Sequence, residues 1–152
     1  MRRLAGAAAV LTAALLGAAP AAQAALGHAP ESVQTDRIHM SARMATTAAA
    51  AYTAQTLTLA NGGTVKEFST GGVVFAVAWR GPARPDLKQL LGEHFDTLQA
   101  ETAVVGAHRL RAPILVNRTD LVVHSAGHPG AFRGFAYLPA LIPAGVTAAD
   151  LQ

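Results

Sequence analysis

The clearest periodic unit in the chain spans residues 71–98. It begins with an unbroken apolar run, Val73-Val74-Phe75-Ala76-Val77-Ala78-Trp79. An extended strand presents alternate side chains to opposite faces, which sets Val73, Phe75, Val77 and Trp79 against Val74, Ala76 and Ala78. A strand apolar on both faces belongs in the middle of its sheet. The bulky face is expected to meet the main core, and the alanine face to allow close approach of another layer. Pro82 and Pro85 end the strand, and Asp86 is a natural N-cap with Gln89 three residues later to complete a capping box. Leu87, Leu90, Leu91, Phe95 and Leu98 then recur at helical spacing and predict one amphipathic helix over 86–101. Lys88, Glu93, Asp96 and Gln99 fall on its wet side.

Three short runs rich in Thr, Val, Tyr and Phe precede and include that strand: 52–59, 64–70 and 73–80. Asn61-Gly62 and Gly71-Gly72 separate them and supply the positive φ angles of tight primed turns, so they predict an antiparallel meander. Residues 113–116, 120–125 and 131–138 predict two or three further strands, with turns at Asn117-Arg118-Thr119 and Gly127-His128-Pro129-Gly130. A short helix over 32–43 with Ser32 as N-cap is expected near the start, a loop or linker over 46–51, and an irregular tail over 140–152. The predicted fold class is α+β: an antiparallel sheet of about five strands (meander 52–80, later hairpin 113–138), with the 86–101 helix packed across one face and a short N-terminal helix.

The extreme N-terminus follows a different rule. Arg2 and Arg3 precede an apolar stretch over 4–19, then Pro20 and Ala22-Gln23-Ala24. A charged start, a short apolar middle and small residues before a cut are the parts of a secretory signal peptide. The expectation is therefore a leader over 1–24, cleavage between Ala24 and Ala25, no stable membrane span afterwards, and a periplasmic or secreted location. Residues 25–152 then form one small domain, divided into an N-terminal helix and linker (25–51), a core (52–139) and the tail. Composition changes the picture in two ways. Two of the 12 basic residues are Arg2 and Arg3, so against 9 acidic residues the mature chain is nearly neutral and the high pI is a weak clue. Its basic residues are spread along the chain, which argues against nucleic acid and anionic lipid as partners. Cysteine is absent, so neither disulfides nor thiol chemistry contributes.

Candidate chemistry is sparse. His124-Ser125-Ala126-Gly127-His128 is the nearest approach to a metal signature, but His-x-x-x-His is informative mainly on a helix and here it spans a strand end and a turn. A small hydrolase or metal-dependent enzyme would draw on His124, His128 and Asp120. Ser125 cannot pair with His124 as nucleophile and base, because adjacent strand residues face opposite ways. No Gly-x-Ser-x-Gly elbow and no phosphate-cradling glycine loop is present, and no cofactor is expected. Trp79, Arg80 and Arg84 are the candidate ligand-binding residues, since an indole beside a guanidinium can hold a ring, a carboxylate or a sugar face. The plainer reading places Trp79 in the core row and Arg80 at the surface.

The runs Phe75-Ala76-Val77-Ala78-Trp79-Arg80-Gly81-Pro82 and Pro85-Asp86-Leu87-Lys88-Gln89-Leu90-Leu91-Gly92, with Leu121-Val122-Val123-His124-Ser125 and Ala136-Tyr137-Leu138-Pro139, resemble the bacterial exported family catalogued as domain of unknown function 2844. The resemblance implies a secreted single domain and carries no activity, substrate or catalytic residue. The expected function is a non-enzymatic binding or accessory module of the cell envelope, whose partner is an envelope component or another protein.

Overall fold

A computed structural model of the chain describes residues 26–104 and 113–152. The expected leader over 1–24 and the loop expected to begin at Gly106 lie outside the described residues.

Helix α1 (Ser32–His39) leads into strands β1 (Arg43–Ala48), β2 (Thr53–Thr58), β3 (Thr64–Thr70) and β4 (Val73–Gly81). Helices α2 (Leu87–Leu91) and α3 (Phe95–Val104) follow, joined by a 3-10 turn, and then β5 (Ile114–Asn117), β6 (Val122–His128) and β7 (Ala131–Tyr137). All pairings are antiparallel, and the seven strands lie in the order β1-β2-β3-β4-β7-β6-β5. The α+β class and the antiparallel sheet are as expected, and β4 occupies the centre. The strand count is not: among the described residues the sheet has seven strands rather than about five. Residues 46–51, read as a loop or linker, fall half within β1, which takes in 46–48 and whose six side chains are all exposed. A strand with neither face buried shows no alternation, so only its ladder to β2 reveals it.

The chain turns differently from expectation at three places. Asn61 is not in the left-handed region; Gly62 alone is (φ 82°), and the Gly62 N–H donates to the Leu59 carbonyl at 3.0 Å. This is a three-residue loop with a glycine bulge rather than a primed two-residue turn. Gly71 and Gly72 do form the primed corner, with φ of 56° and 79°. The long helix is interrupted at Gly92 (φ 53°), yet Leu87, Leu90, Leu91, Leu98 and Phe95 all pack into one core, as their spacing requires. Asp86 caps α2 by accepting from the Lys88 and Gln89 N–H groups. Helix α1 starts on Glu31 without a side-chain cap, and Ser32 lies inside it rather than at its N-cap.

The register of β4 holds the main correction. Phe68 pairs with Ala76 but Ser69 pairs with Val74, so Phe75 is an extra residue in a β-bulge. The bulge reverses the phase of the strand. Val74, Val77 and Trp79 face the helices, whereas Phe75, Ala76 and Ala78 face the other way. The bulky side chains are therefore divided between two cores. Phe75 joins Phe68 and Tyr52 in an aromatic cluster with ring centroids 5.5 to 6.4 Å apart. The tail covers this second core: Leu151, in a 3-10 turn, is fully buried there, with Ile142 and Val146 beside it. The upstream half of β4 lacks β7 as a neighbour, and the segment 26–28 takes its place: Gly27 N–H donates to the Val74 carbonyl and Val74 N–H to the His28 carbonyl, both at 2.8 Å.

Trp79 lies across Gly134 of β7, its partner in the ladder. A Cβ at position 134 would fall 2.4 Å from the indole and 2.6 Å from the His124 carbonyl oxygen. Gly134→Ala is expected to destabilise the fold by about 1–3 kcal/mol, the usual cost of an overpacked site, read as a lower midpoint in urea unfolding. An unchanged midpoint would mean that the indole does not occupy this position.

Candidate functional site

On the tail-side face, alternation along β3, β4, β7, β6 and β5 aligns side chains into rows across the sheet. One row runs Lys66, Ala78, Phe135, His124, Leu115, and the next runs Thr64, Arg80, Arg133, Ala126. Together with Gln152 of the tail they line an open cleft of about 450 Å³. That volume suits a small molecule. Arg80 and Arg133 are direct ladder partners, and Lys66 is the diagonal neighbour of Arg80 across β3 and β4. Like charges set opposite each other on adjacent strands are unfavourable. Among the described residues no carboxylate lies within ion-pair distance of any of the three: the ion pairs found join Arg118 to Glu101 and Asp120, and His94 to Glu93.

The other half of the cleft is apolar and aromatic. The His124 ring lies 5.0 Å from that of Phe135, and Phe135 stacks on Tyr137 at 6.1 Å. His124 Nε2 is 2.8 Å from Asn117 Oδ1, which turns the ring toward the β5 edge. Leu115, on that edge strand, is 65% exposed.

The fold separates the three residues singled out for binding. Arg80 lines the cleft. Trp79 borders it, but its indole is buried among the helix-side residues, and Nε1 has no hydrogen-bond partner among the described residues. Arg84 stands outside, its guanidinium 5.4 Å from the Phe132 ring. The enzymatic candidates are also dispersed. His124 and His128 sit four residues apart on β6, a separation of about 13 Å along an extended strand, and His128 Nδ1 is 3.0 Å from the Pro129 carbonyl oxygen. Asp120 is held by Arg118 at 2.9 Å, and that hydrogen bond depresses its pKa. Ser125 is buried while His124, facing the cleft, is half-buried. Among the described residues no three of His, Asp and Glu converge as a metal-binding group.

Sequence reasoning missed Lys66 and Arg133, because residues scattered along the chain are gathered only by strand register. It also missed a buried acidic cluster on the helix side. In β3, Val65, Glu67 and Ser69 point at the helices, and Glu67 is fully buried between Gln55 and Val77 in the ladder. Among the described residues neither Glu67 carboxyl oxygen has a hydrogen-bond partner. Burial, with the Asp36 carboxyl nearby as a lesser cause, pushes the Glu67 pKa up to about 8. Asp36 of α1 is buried too; burial raises its pKa against the opposing hydrogen bond from Gln89, whose Nε2 donates to Asp36 Oδ1 at 2.7 Å. Gln89, expected to close a capping box, instead ties α2 to α1. The one signal for this cluster in the chain was Glu67 lying two residues from Val65, in phase with it.

A model of the family described as "Protein of unknown function (DUF2844)" matches residues 22–151, and the chain belongs to that family. No curated protein and no solved structure matches the chain.

The Glu67 carboxyl binds its proton more tightly folded than unfolded. Its contribution to stability therefore declines as pH rises from its ordinary value of 4.5 to about 8, and stays low above that. The total loss is on the order of 5 kcal/mol, since each pKa unit is worth about 1.4. Glu67→Gln keeps the shape and removes the charge. Urea unfolding at pH 5, 7 and 9 is expected to show a falling midpoint for the parent and a much flatter profile for the variant; equal slopes would assign the effect elsewhere.

Proposed function

We propose that this family member is an exported, non-enzymatic binding module of the bacterial cell envelope, and that its tail-side cleft takes up an anionic ligand. The observation that carries this reading is the Arg80–Arg133 ladder pair with Lys66 beside it, three cations facing one cleft with no carboxylate within ion-pair distance among the described residues. Like charges set on directly opposed positions of neighbouring strands repel each other. A bound anion converts that repulsion into charge-assisted hydrogen bonds, which are among the stronger polar contacts. The cleft walls also concentrate the positive field and steer anions inward.

Export rests on Arg2 and Arg3, the apolar stretch over 4–19 and Ala22-Gln23-Ala24. A cut after Ala24 would leave Leu26 in the mature chain, and Leu26 is needed there: it is fully buried, and its N–H donates to the Leu90 carbonyl at 3.2 Å. The alternative, a small hydrolase or metal-dependent enzyme built on His124 and His128, has only His124 on the cleft wall in its favour.

Two measurements test the proposal. Protein recovered from the periplasmic fraction of an expressing bacterium is expected to begin at Ala25 by intact-mass analysis; an uncut product retained with the membranes would oppose export. In thermal unfolding at constant ionic strength, replacing chloride by phosphate is expected to stabilise the parent. Arg133→Gln should raise the midpoint slightly in chloride, by relieving the repulsion, and abolish the response to phosphate. A phosphate response that survives both Arg133→Gln and Arg80→Gln would place the anion elsewhere.

A further inference from the structure

The two halves of the cleft differ in kind, and that difference specifies the ligand further than its charge. Lys66, Arg80 and Arg133 cluster where β3, β4 and β7 adjoin. Phe135, His124 and Leu115 continue along a single cross-sheet row to the β5 edge. The edge strand lies two strand spacings from β7, about 10 Å. A cleft of about 450 Å³ thus presents cations at one end and an open apolar wall at the other.

Resting on the anionic reading of the cleft, we infer that its ligand is an amphiphile: a phosphate monoester, held between Arg80 and Arg133 with Lys66, on an apolar chain or ring that lies over Phe135 and Leu115. Three cations match a dianionic head better than a single carboxylate, and the planar guanidinium fork suits phosphate oxygens. A polyanionic glycan fits poorly, because its regularly spaced charges would fall on the apolar wall and lose their hydration without partners. The exposed Leu115 has a purpose in this arrangement. Its side chain is 65% exposed on an edge strand, and an apolar ligand body would cover it.

The area needed is modest. A tenfold gain in affinity is about 1.4 kcal/mol, which corresponds to about 55 Å² of apolar surface removed from water at about 25 cal/mol per Å². A short alkyl chain along the Phe135–Leu115 row would exceed that.

Isothermal titration of the purified chain with octyl phosphate, inorganic phosphate, octanoate and heparin separates the possibilities. Octyl phosphate is expected to bind at least about tenfold more tightly than inorganic phosphate and more tightly than octanoate or heparin. Leu115→Ser should collapse the ratio between octyl phosphate and phosphate toward one, and Arg133→Gln should weaken both. Ile38→Ser alters a residue of α1 that is 63% exposed and outside the cleft, and should change none of these affinities. If phosphate and octyl phosphate bind alike and Leu115→Ser is silent, the amphiphile is overturned while the anionic cleft stands. Heparin binding most tightly, through the same arginines, would overturn it in favour of a polyanion. No binding by any of the four probes would overturn both readings.

Discussion

The architecture depends on one strand that is apolar on both faces. Strand β4 cannot sit at an edge or lie open on one side without exposing Val77 and Trp79, or Phe75 and Ala76, to water. It therefore requires a neighbour on each edge and a cover on each face. β3 and β7 supply the edges, and α2 and α3 cover one face. The tail covers the other, through Ile142, Val146 and Leu151. The bulge at Phe75 divides the strand's bulk between these covers. It also leaves the backbone of Val74 facing outward from the ladder, where residues 26–28 hydrogen-bond to it. The N-terminal strap and the C-terminal tail are thus consequences of the same central strand.

Beside that strand, the period-two alternation of β3 separates two charges of opposite sign. Lys66 and Glu67 are adjacent in sequence and point to opposite faces of the sheet. Glu67 enters the helix-side core, where desolvation favours its neutral form, with Gln55 and Asp36 as neighbours. Lys66 joins Arg80 and Arg133 at the cleft, where the cations face solvent and one another. The inner group is an internal stability term coupled to pH, and the outer group is available to a ligand. Neither arrangement is an efficient way to stabilise a sheet. An unpartnered buried carboxyl and an unneutralised cation cluster both cost free energy, and the cation cluster has a compensating use if an anion occupies the cleft.

Much of the fold was legible because local rules carried it. The Leu87, Leu90, Leu91, Phe95, Leu98 stripe identified its helical region, although Gly92 breaks the helix, and all five residues reached the core. Gly71-Gly72 marked a primed corner, and the continuous apolar run of β4 marked the sheet's centre. The failures share one cause, which is that long-range register overrides local pattern. β1 has no buried face to betray it, and a single bulged residue sends Phe75 to the face opposite the one its spacing indicates. Gln89 has the spacing of a capping residue but is recruited by Asp36, 53 positions away.

For the site the balance is different. Trp79, Arg80 and Arg84 are close in sequence, yet the strand and the turn after it direct them to the core, the cleft and the Phe132 ring. By itself the sequence determined the family, the antiparallel α+β class, the central strand and the helical stripe from Leu87 to Leu98 that packs into the helix-side core, because hydrophobic period and turn chemistry are local properties. Tertiary structure decided which faces those residues serve and which charges meet. Lys66, Arg80 and Arg133 become neighbours only when β3, β4 and β7 are hydrogen-bonded in register, and a shift of one position would turn their side chains to the other face.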